Sequence, residues 1–364
     1  MQKFIVFICV CIFAIVNVSI SHAESEYLNI SEIKSQVYNL WDEEYPTKWR
    51  TIHINTNILI PEVSYAPVLY VAYDISEHSS QSGNVSVGRT RAGVPTISTG
   101  NVESNMKRGK FKSKSYFEPY TNESFAPGNI ADIKKALEML RIMLDDCQFL
   151  EQSFDLSLPK EIAIWWKENA TAERISPIEY SISLNSQLRE IPIYGHAFLG
   201  MPGSMREGKN GEYFAEVGAS LLYINESNIS FGGNVFYEEE QIAVDIPLCS
   251  FNKIKATIES KIYSGNLRQV YEVKLGYALF NVPGATKSPD IPWRVSARYY
   301  AVPTWFVNCI YINDGKTPWS PCELDENAAR SDPHSATLLI NAQTGELYSR
   351  KKITAMAQQT IPVY

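Results

Sequence analysis

The stretch from Gln269 to Leu347 most constrains the fold, because it holds three consecutive segments with the patterns of strands. The first two, QVYEVKLGYALFNV and IPWRVSARYY, alternate apolar with other side chains. The third, ATLLINAQTGEL, is an apolar run closed by a turn. Alternation at a period of two residues is typical of strands that bury one face. We therefore predict that the three segments are neighbouring strands of one antiparallel sheet.

Two segments have the pattern of amphipathic helices. In FNKIKATIESKIYSG, isoleucines recur every four residues, Ser250 or Asn252 is placed to cap the helix, and Gly265 is placed to end it. In GNIADIKKALEMLRIMLDDC, an apolar stripe follows the capping residue Asn129. Its members are Ile133, Leu137, Leu140, Leu144 and Cys147. The fold class is therefore predicted as α+β, with antiparallel sheets that are each packed by one or two helices.

Other segments of the first half carry weaker signals. NISEIKSQVYNLWDEE and LPKEIAIWWKENA predict short helices, and WRTIHINTNILIPE predicts a strand with VSYAPVLYVAYDI as its partner. Residues 76–115 are rich in Ser, Gly and basic residues, which predicts a long exposed loop. That loop is either a solvated insertion or a basic attachment to an anionic surface.

The length of 364 residues allows two domains. A weak duplication, in which strands ending in Ile-Pro precede helices, divides the chain into residues 24–173 and 174–364. The second half then carries an insertion over residues 301–332 between its second and third strands. The duplication predicts two halves of similar fold.

The N-terminus has the features of an export signal. Residues 1–23 combine Lys3, an apolar core and the small-x-small sequence Ser21-His22-Ala23. They predict a cleavable signal peptide and a secreted or extracytoplasmic chain that has no transmembrane segment after cleavage. The alternative is a signal that is retained as an anchor, although its apolar run is short for a bilayer span.

Charge and cysteine content narrow the classes of function. The formal net charge of −7 argues against nucleic acid as a partner, since phosphates are bound by clustered Lys and Arg. In an oxidising compartment, Cys309 and Cys322 can close a disulfide around a short loop; the alternative is isolated buried cysteines. No metal or cofactor is predicted, because the histidines are scattered and no close cysteine pair or phosphate-binding glycine loop occurs.

A search for catalytic patterns finds little. The Gly-x-Ser-x-Gly and His-Glu-x-x-His patterns are absent. Among the histidines, only His196, in IYGHAFLG between two apolar runs, is a candidate site residue, with Glu212 or Glu216 as carboxylate partners. A hydrogen-bonded histidine in a strand is the commoner arrangement. This pattern therefore leaves an exported hydrolase of unrecognised type only as an alternative.

The helix and the three strands of the C-terminal part occur in an order that resembles the PepSY-like fold and the extracytoplasmic domains of YycH- and YycI-type regulators. In those families the last strand typically ends in an Asn/Asp-Ala-x-Thr-Gly-Glu turn. The matching residues here are Asn341, Ala342, Thr344, Gly345 and Glu346. The resemblance covers the C-terminal part only and implies a PepSY-like fold there and a regulatory role, although the regulators keep an N-terminal membrane helix. Together with the weak duplication it allows two PepSY-like or YycI-like halves.

These observations favour a non-enzymatic binding or regulatory protein of the cell envelope or the secreted fraction, with a protein or peptide partner. Aromatic side chains are the usual anchors of such surfaces. We predict that the sheet face and the insertion supply them. The candidate binding residues are Trp305, Trp319, Tyr299 and Tyr300.

Overall fold

The structure is a computed structural model and describes most of the chain from residue 40 to residue 348. The described residues are 40–61, 63, 65–73, 81–82, 85–89, 95–99, 112–117, 127–144, 153–168, 174–196, 206–207, 213–214, 217–225, 228–233, 236–243, 247–282, 286–287, 295–312, 324 and 326–348. The predicted signal peptide over residues 1–23 lies outside them.

Strands dominate the described residues, and helices are few. In chain order the strands are β1 (Leu40–Pro46), β2 (Thr51–Leu59), β3 (Val68–Tyr73), β4 (Gln81–Ser82), β5 (Val85–Arg89), β6 (Pro95–Thr99), β7 (Lys112–Phe117), β8 (Phe154–Glu168), β9 (Arg174–Leu188), β10 (Ile191–His196), β11 (Arg206–Glu207), β12 (Tyr213–Phe214), β13 (Ala219–Asn225), β14 (Asn228–Gly233), β15 (Tyr237–Ala243), β16 (Leu267–Asn281), β17 (Thr286–Lys287), β18 (Val295–Tyr311) and β19 (Ser335–Asn341). The helices are α1 (Pro127–Leu144), α2 (Phe251–Tyr263) and α3 (Glu326–Ser331).

Two long antiparallel strands, β16 and β18, form the centre of the fold. On the edge that faces away from β18, β16 pairs in parallel with two strands. The middle of β16 pairs with β2, and the C-terminal part of β16 pairs with β10. The outer edge of β18 pairs with β3 over its first half and with β19 over its second half, both antiparallel. The sheet is therefore mixed, and its two central strands are shared by two groups of flanking strands.

The first group consists of β1, β2 and β19 around the central pair, and α2 covers one of its faces. The predicted stripe of α2 is confirmed, since Ile254, Ile258 and Ile262 are all buried. They pack in one core with alternate residues of the strands, among them Ile54 and Val273. Because side chains on a strand point alternately to opposite faces, only one set of residues from each strand enters this core.

The second group extends from β10 through β9 to β13, β14 and β6 on one side and to β8 and β7 on the other. The predicted helix α1 is confirmed, and the stripe residues Ile133, Leu137 and Leu140 are buried. This helix contacts β8, β9 and β14. Both helices therefore lie on the sheet, as the stripe patterns indicated.

The predicted antiparallel order of the segments that begin at Gln269, Ile291 and Ala336 is confirmed in β16, β18 and β19. The predicted strand over residues 49–62 is confirmed as β2, but its predicted partner is wrong. Segment β3 pairs with β15 and β18, whereas β2 pairs with β1 and β16.

Two predicted helices are strands. Residues 158–168 of the segment LPKEIAIWWKENA belong to β8, which pairs with β7 on one edge and β9 on the other. Its buried Ile162 and Ile164 follow a period of two. The end of the predicted N-terminal helix is β1, where Trp41 and Tyr45 are buried. In both segments pairing with neighbouring strands decides the structure, and the buried residues lie on one face of a strand.

The described parts of the predicted loop 76–115 are strands. Segments β4, β5 and β6 pair in sequence, β6 also pairs with β14, and β7 pairs with β8. Strands of the two predicted halves, residues 24–173 and 174–364, also pair with each other, as β2 does with β16 and β3 with β18. The group around α2 therefore takes strands from both halves of the chain.

Candidate interaction surface

The two predicted site residues nearest the helix-covered core are buried. Trp305 is 0% exposed, and its ring centroid lies 5.4 Å from that of Phe251 at the start of α2. Tyr299 is also 0% exposed and packs against Phe236, with ring centroids 6.0 Å apart. Trp305 and Tyr299 are odd-numbered residues of β18, and this face of the strand points into the core. The expectation that they are surface anchors is therefore corrected.

Tyr300 lies on the opposite face of β18. It is 6% exposed and packs against Tyr70 of β3, with ring centroids 5.5 Å apart. The structure therefore does not bring Tyr299 and Tyr300 to one surface. Trp319, the fourth predicted anchor, lies outside the described residues.

The first part of the predicted insertion over residues 301–332 is not a loop. Residues 301–311 continue β18, and residues 326–331 form α3. Cys309 lies in this strand as a buried free thiol, with its Sγ 3.6 Å from the carbonyl oxygen of Ala336. Burial raises the pKa of Cys309 to about 12. Cys309 is thus not joined to Cys322, which lies outside the described residues.

The residues of the alternative catalytic hypothesis are described only in part. His196 is the last residue of β10, where its backbone lies opposite Leu279 of β16. The side chain of His196, and both Glu212 and Glu216, lie outside what the structure describes. In the described part of the chain, no group of three or more His, Cys, Asp or Glu residues could hold a metal ion.

A charged network lies on the face of the central strands that points away from α2. Glu272 of β16 accepts hydrogen bonds from Lys274 Nζ at 2.9 Å and from the side-chain amide of Asn308. Arg330 of α3 approaches its other oxygen at 3.3 Å. Thr337 donates to Asn308 Oδ1 at 2.7 Å. Both oxygens of Glu272 are therefore occupied, and the network fastens α3 to the sheet.

This environment changes the ionisation of Glu272. Burial raises its pKa, but the charges of Lys274 and Arg330 and the hydrogen bonds from Lys274 and Asn308 outweigh burial, so the pKa is below its ordinary value of 4.5. A carboxylate that stays ionised between two cations is a structural ion pair. It is not suited to act as a general acid near neutral pH.

The turn that carries the family resemblance has a structural role. Gly345 has a φ of +73°, and its carbonyl oxygen accepts a hydrogen bond from Thr257 of α2 at 2.8 Å. Asn341 Oδ1 accepts from the backbone N–H groups of Gln343 and Thr344 at 2.8 and 3.0 Å. A positive φ strongly favours glycine, and the turn connects the end of β19 to α2.

An exposed aromatic cluster lies at one end of the group covered by α2. Among the described residues, the exposed large hydrophobic side chains are Trp49, Tyr65, Ile142 and Tyr263, which are 42%, 58%, 67% and 54% exposed. Trp49 lies in the turn between β1 and β2, and Tyr263 is the last residue of α2. We call the surface formed by Lys48, Trp49 and Tyr263 the turn patch.

Local hydrogen bonds hold the turn of the turn patch. Thr47 Oγ1 donates to the carbonyl oxygen of Arg50 at 2.6 Å and accepts from the backbone N–H groups of Trp49 and Arg50, each at 3.2 Å. The Arg50 guanidinium donates to the carbonyl oxygen of Arg268 at 2.9 Å. The backbone that carries Trp49 is therefore fastened both within the turn and to β16.

The Trp49 ring rests on a glycine. A Cβ atom at Gly265 would lie 2.2 Å from Cη2 of Trp49, and Gly265 has a φ of +79° after the end of α2. Lys48 Nζ lies 4.3 Å from the Trp49 ring centroid. Tyr263 packs edge-on against Tyr45, with ring centroids 6.2 Å apart. Contacts within the protein therefore fix both exposed rings.

Sequence reasoning missed the turn patch, although a signal for it exists. Trp49 directly follows Pro46-Thr47-Lys48, a polar segment between two strand patterns, and a turn of this kind lies at the surface. The partnership of Trp49 with Gly265 has no local signal, because more than two hundred residues separate them along the chain.

Comparisons with known proteins give little guidance. No family model matches the chain, and no curated protein matches it. An uncharacterised protein from Eubacterium rectale ATCC 33656, whose crystal structure is known, is similar over 82% of this chain and 90% of that chain. Its sequence identity is 15% and its TM-score is 0.43. None of the described helices has the length and apolarity needed to cross a membrane.

Proposed function

We propose that this chain is a non-enzymatic binding or regulatory protein, exported to the envelope or secreted, which holds a protein or peptide partner on the turn patch. The supporting observation is the pair of exposed aromatic rings, Trp49 and Tyr263, held in place by Gly265 and Tyr45. Tryptophan and tyrosine are enriched among the residues that contribute most to binding energy. Rings that are already ordered lose less entropy when a partner binds.

The PepSY-like resemblance of the C-terminal part fits the same proposal. The group covered by α2 has the helix, the strands and the closing turn of that resemblance, and the turn patch lies at one end of it. The export signal over residues 1–23 would place this surface outside the cytoplasm. The proposal replaces the buried Trp305 by Trp49 as the aromatic anchor.

Photo-crosslinking in intact source cells tests the proposal. A crosslinking phenylalanine analogue is placed at position 263, and at position 65 as a control, because Tyr65 is equally exposed elsewhere. We expect one specific product from position 263 and none from position 65. Mass spectrometry identifies the product, and affinity is then measured with the purified partner.

Substitutions give the second part of the test. Trp49→Ala should weaken binding of that partner by about tenfold or more, whereas the double variant Tyr65→Ala, Ile142→Ala should leave it unchanged. Equal crosslinking at both positions, or binding that is unaffected by Trp49→Ala, would contradict the proposal. A hydrolytic activity that is abolished by His196→Ala would replace it with the alternative.

A further inference from the structure

We propose that residues 349–353 of this chain bind the outer edge of β19, the edge that faces away from β18, as an additional strand. The proposal concerns a different surface from the turn patch and is independent of it. The segment 349–353 has the sequence SRKKI and directly follows Tyr348, the last of the described residues. It would continue a pairing that the described chain begins.

The chain already runs beside β19 when it reaches Tyr348. Leu347 lies opposite Ile340 in an antiparallel bridge. The backbone N–H of Tyr348 donates to the carbonyl oxygen of Leu339 at 2.8 Å. The Tyr348 ring is buried and packs against that of Phe280, with ring centroids 5.2 Å apart. The chain is therefore both anchored at the outer edge of β19 and directed along it.

The next part of this edge has unpaired backbone groups. Successive residues of a strand direct their N–H and C=O groups to alternate sides, and the bond accepted by Leu339 shows that odd-numbered residues of β19 face outward. Within the described parts of the chain, no backbone group pairs with the N–H of Leu339, with either group of Thr337 or with the C=O of Ser335. The N–H of Ser335 donates to Asp332 at 2.9 Å. We call residues 335–339 the open edge.

Continued pairing would satisfy these groups in one fixed register. In an antiparallel ladder each step forward along one strand is a step back along the other, so Arg350 lies opposite Thr337 and Lys352 lies opposite Ser335. Arg350 then exchanges both backbone hydrogen bonds with Thr337. Lys352 donates to the carbonyl oxygen of Ser335, and Leu339 donates to the carbonyl oxygen of the residue opposite it. Each of the four outward groups thereby gains a partner.

The charge of the segment suits an edge strand. The side chains of the open edge, SATLL, are all uncharged. An uncharged edge is a template for pairing with other chains, and lysines on an edge strand oppose such pairing. The segment SRKKI contains three consecutive cations. Its binding would therefore replace an uncharged edge by a basic one.

A segment of the same chain fits the open edge better than a second copy or a separate peptide does. Leu347 and Tyr348 already occupy the edge beyond the open edge, so only a short stretch of β19 is left for another strand. Stable interfaces between two chains involve about 20–30 residues on each side. Pairing by a segment that is tethered at Tyr348 is intramolecular, so it needs no such area.

Amide hydrogen exchange of the purified chain, followed by NMR, tests the proposal. We expect the N–H of Thr337 to exchange at least about tenfold more slowly in the full chain than in a chain that is truncated after Tyr348. The N–H of Leu338 is the internal control. It faces β18, so its exchange should change by less than about twofold, whereas a general loss of stability would accelerate both amides.

Two proline variants test the register. Arg350→Pro removes the N–H that would donate to Thr337, and it should accelerate exchange at Thr337 about as much as truncation does. Lys351→Pro is the matched control, because the N–H of Lys351 would point away from β19, where an edge strand tolerates proline. Circular dichroism confirms that each variant is folded.

Three results would overturn the proposal. The first is equal exchange at Thr337 in the full and the truncated chain. The second is an equal effect of Arg350→Pro and Lys351→Pro, since the register distinguishes these two positions. The third is slow exchange at Thr337 that survives truncation and strengthens with protein concentration, which would show that a second copy of the chain covers the open edge.

Discussion

Arg189, in the turn between β9 and β10, forms a double hydrogen bond with Glu238 of β15. Its Nε donates to Oε2 at 2.8 Å, and its terminal nitrogen donates to Oε1 and, at 2.9 Å, to the side chain of Gln241. In the sheet, β10 and β15 are separated by β16, β18 and β3. Because strands lie about 4.8 Å apart, this contact requires the sheet to curl around its core.

Loss of this pair should loosen the curled sheet. We expect Arg189→Ala to lower the free energy of unfolding by about 1 kcal/mol, since the pair is partly exposed, and the loss should shrink at high salt. Urea denaturation at two salt concentrations measures the effect.

The neighbouring residue provides a control. Arg189 and Glu190 have φ values of +49° and +64°, so Glu190→Gly relieves a strained conformation while it keeps the ion pair, and it should stabilise the fold by about 0.5–1 kcal/mol. A stability of Arg189→Ala equal to that of the natural chain would show that the contact contributes nothing.

A methyl group at Gly265 should displace Trp49. We expect Gly265→Ala to cost about 1–2 kcal/mol, because the new Cβ meets the indole at 2.2 Å and an alanine is strained at a φ of +79°. It should also weaken binding to the turn patch about as much as Trp49→Ala does. Thermal unfolding and partner affinity are measured together, and full affinity in this variant would show that the position of the ring is unimportant.

Alanine substitutions of Trp305 and Trp49 should have opposite effects on stability and on binding. Trp305→Ala removes a fully buried side chain and should cost about 3–5 kcal/mol of stability. Trp49→Ala removes a half-exposed side chain and should cost about 1 kcal/mol or less, while it abolishes most of the binding. Chemical denaturation measures the free energy of unfolding of both variants. A Trp305→Ala variant as stable as the natural chain would be incompatible with the packing described.

Glu272 should make stability depend on pH at the acid end. Its pKa in the folded protein is lowered, so its contribution is fully present above the ordinary value of 4.5 and is lost as the pH falls through the lowered value. We expect Glu272→Gln to destabilise the chain at pH 7 by about 2 kcal/mol or more, because two cations lose their shared anion. The difference from the natural chain should shrink as the pH falls below 4.5 and through the lowered pKa of Glu272.

Denaturation at a series of pH values, with Glu44→Gln on the exposed face of β1 as the control, measures this dependence. A difference between Glu272→Gln and the natural chain that is constant over the whole pH range would contradict the role given to Glu272.

The local part of the fold was predictable from the residues. The isoleucine stripe of α2, the stripe of α1 and the alternation in β2 and β16 each depend on a spacing that one segment contains. Gly265 and Gly345 were predicted as stop and turn residues for the same reason, since a positive φ strongly favours glycine.

The face of each strand that is covered by a helix was not predictable from local spacing. Alternation places Trp305 and Tyr299 on one face of β18 and Tyr300 on the other, but it does not say which face a helix covers. The residues around Trp41, predicted as the end of a helix, form a strand because β1 pairs with β2, a contact that the local pattern does not contain.

The sequence by itself therefore determined the two long helices α1 and α2, the central strands β16, β18 and β19 and the turns that need glycine, because these depend on neighbours in the chain. Only the tertiary structure decided that Trp305 is a core residue and that Trp49 is exposed on Gly265 beside Tyr263. Burial depends on contacts between residues far apart in the sequence, such as the turn after β1 and the end of α2. No local pattern contains that information.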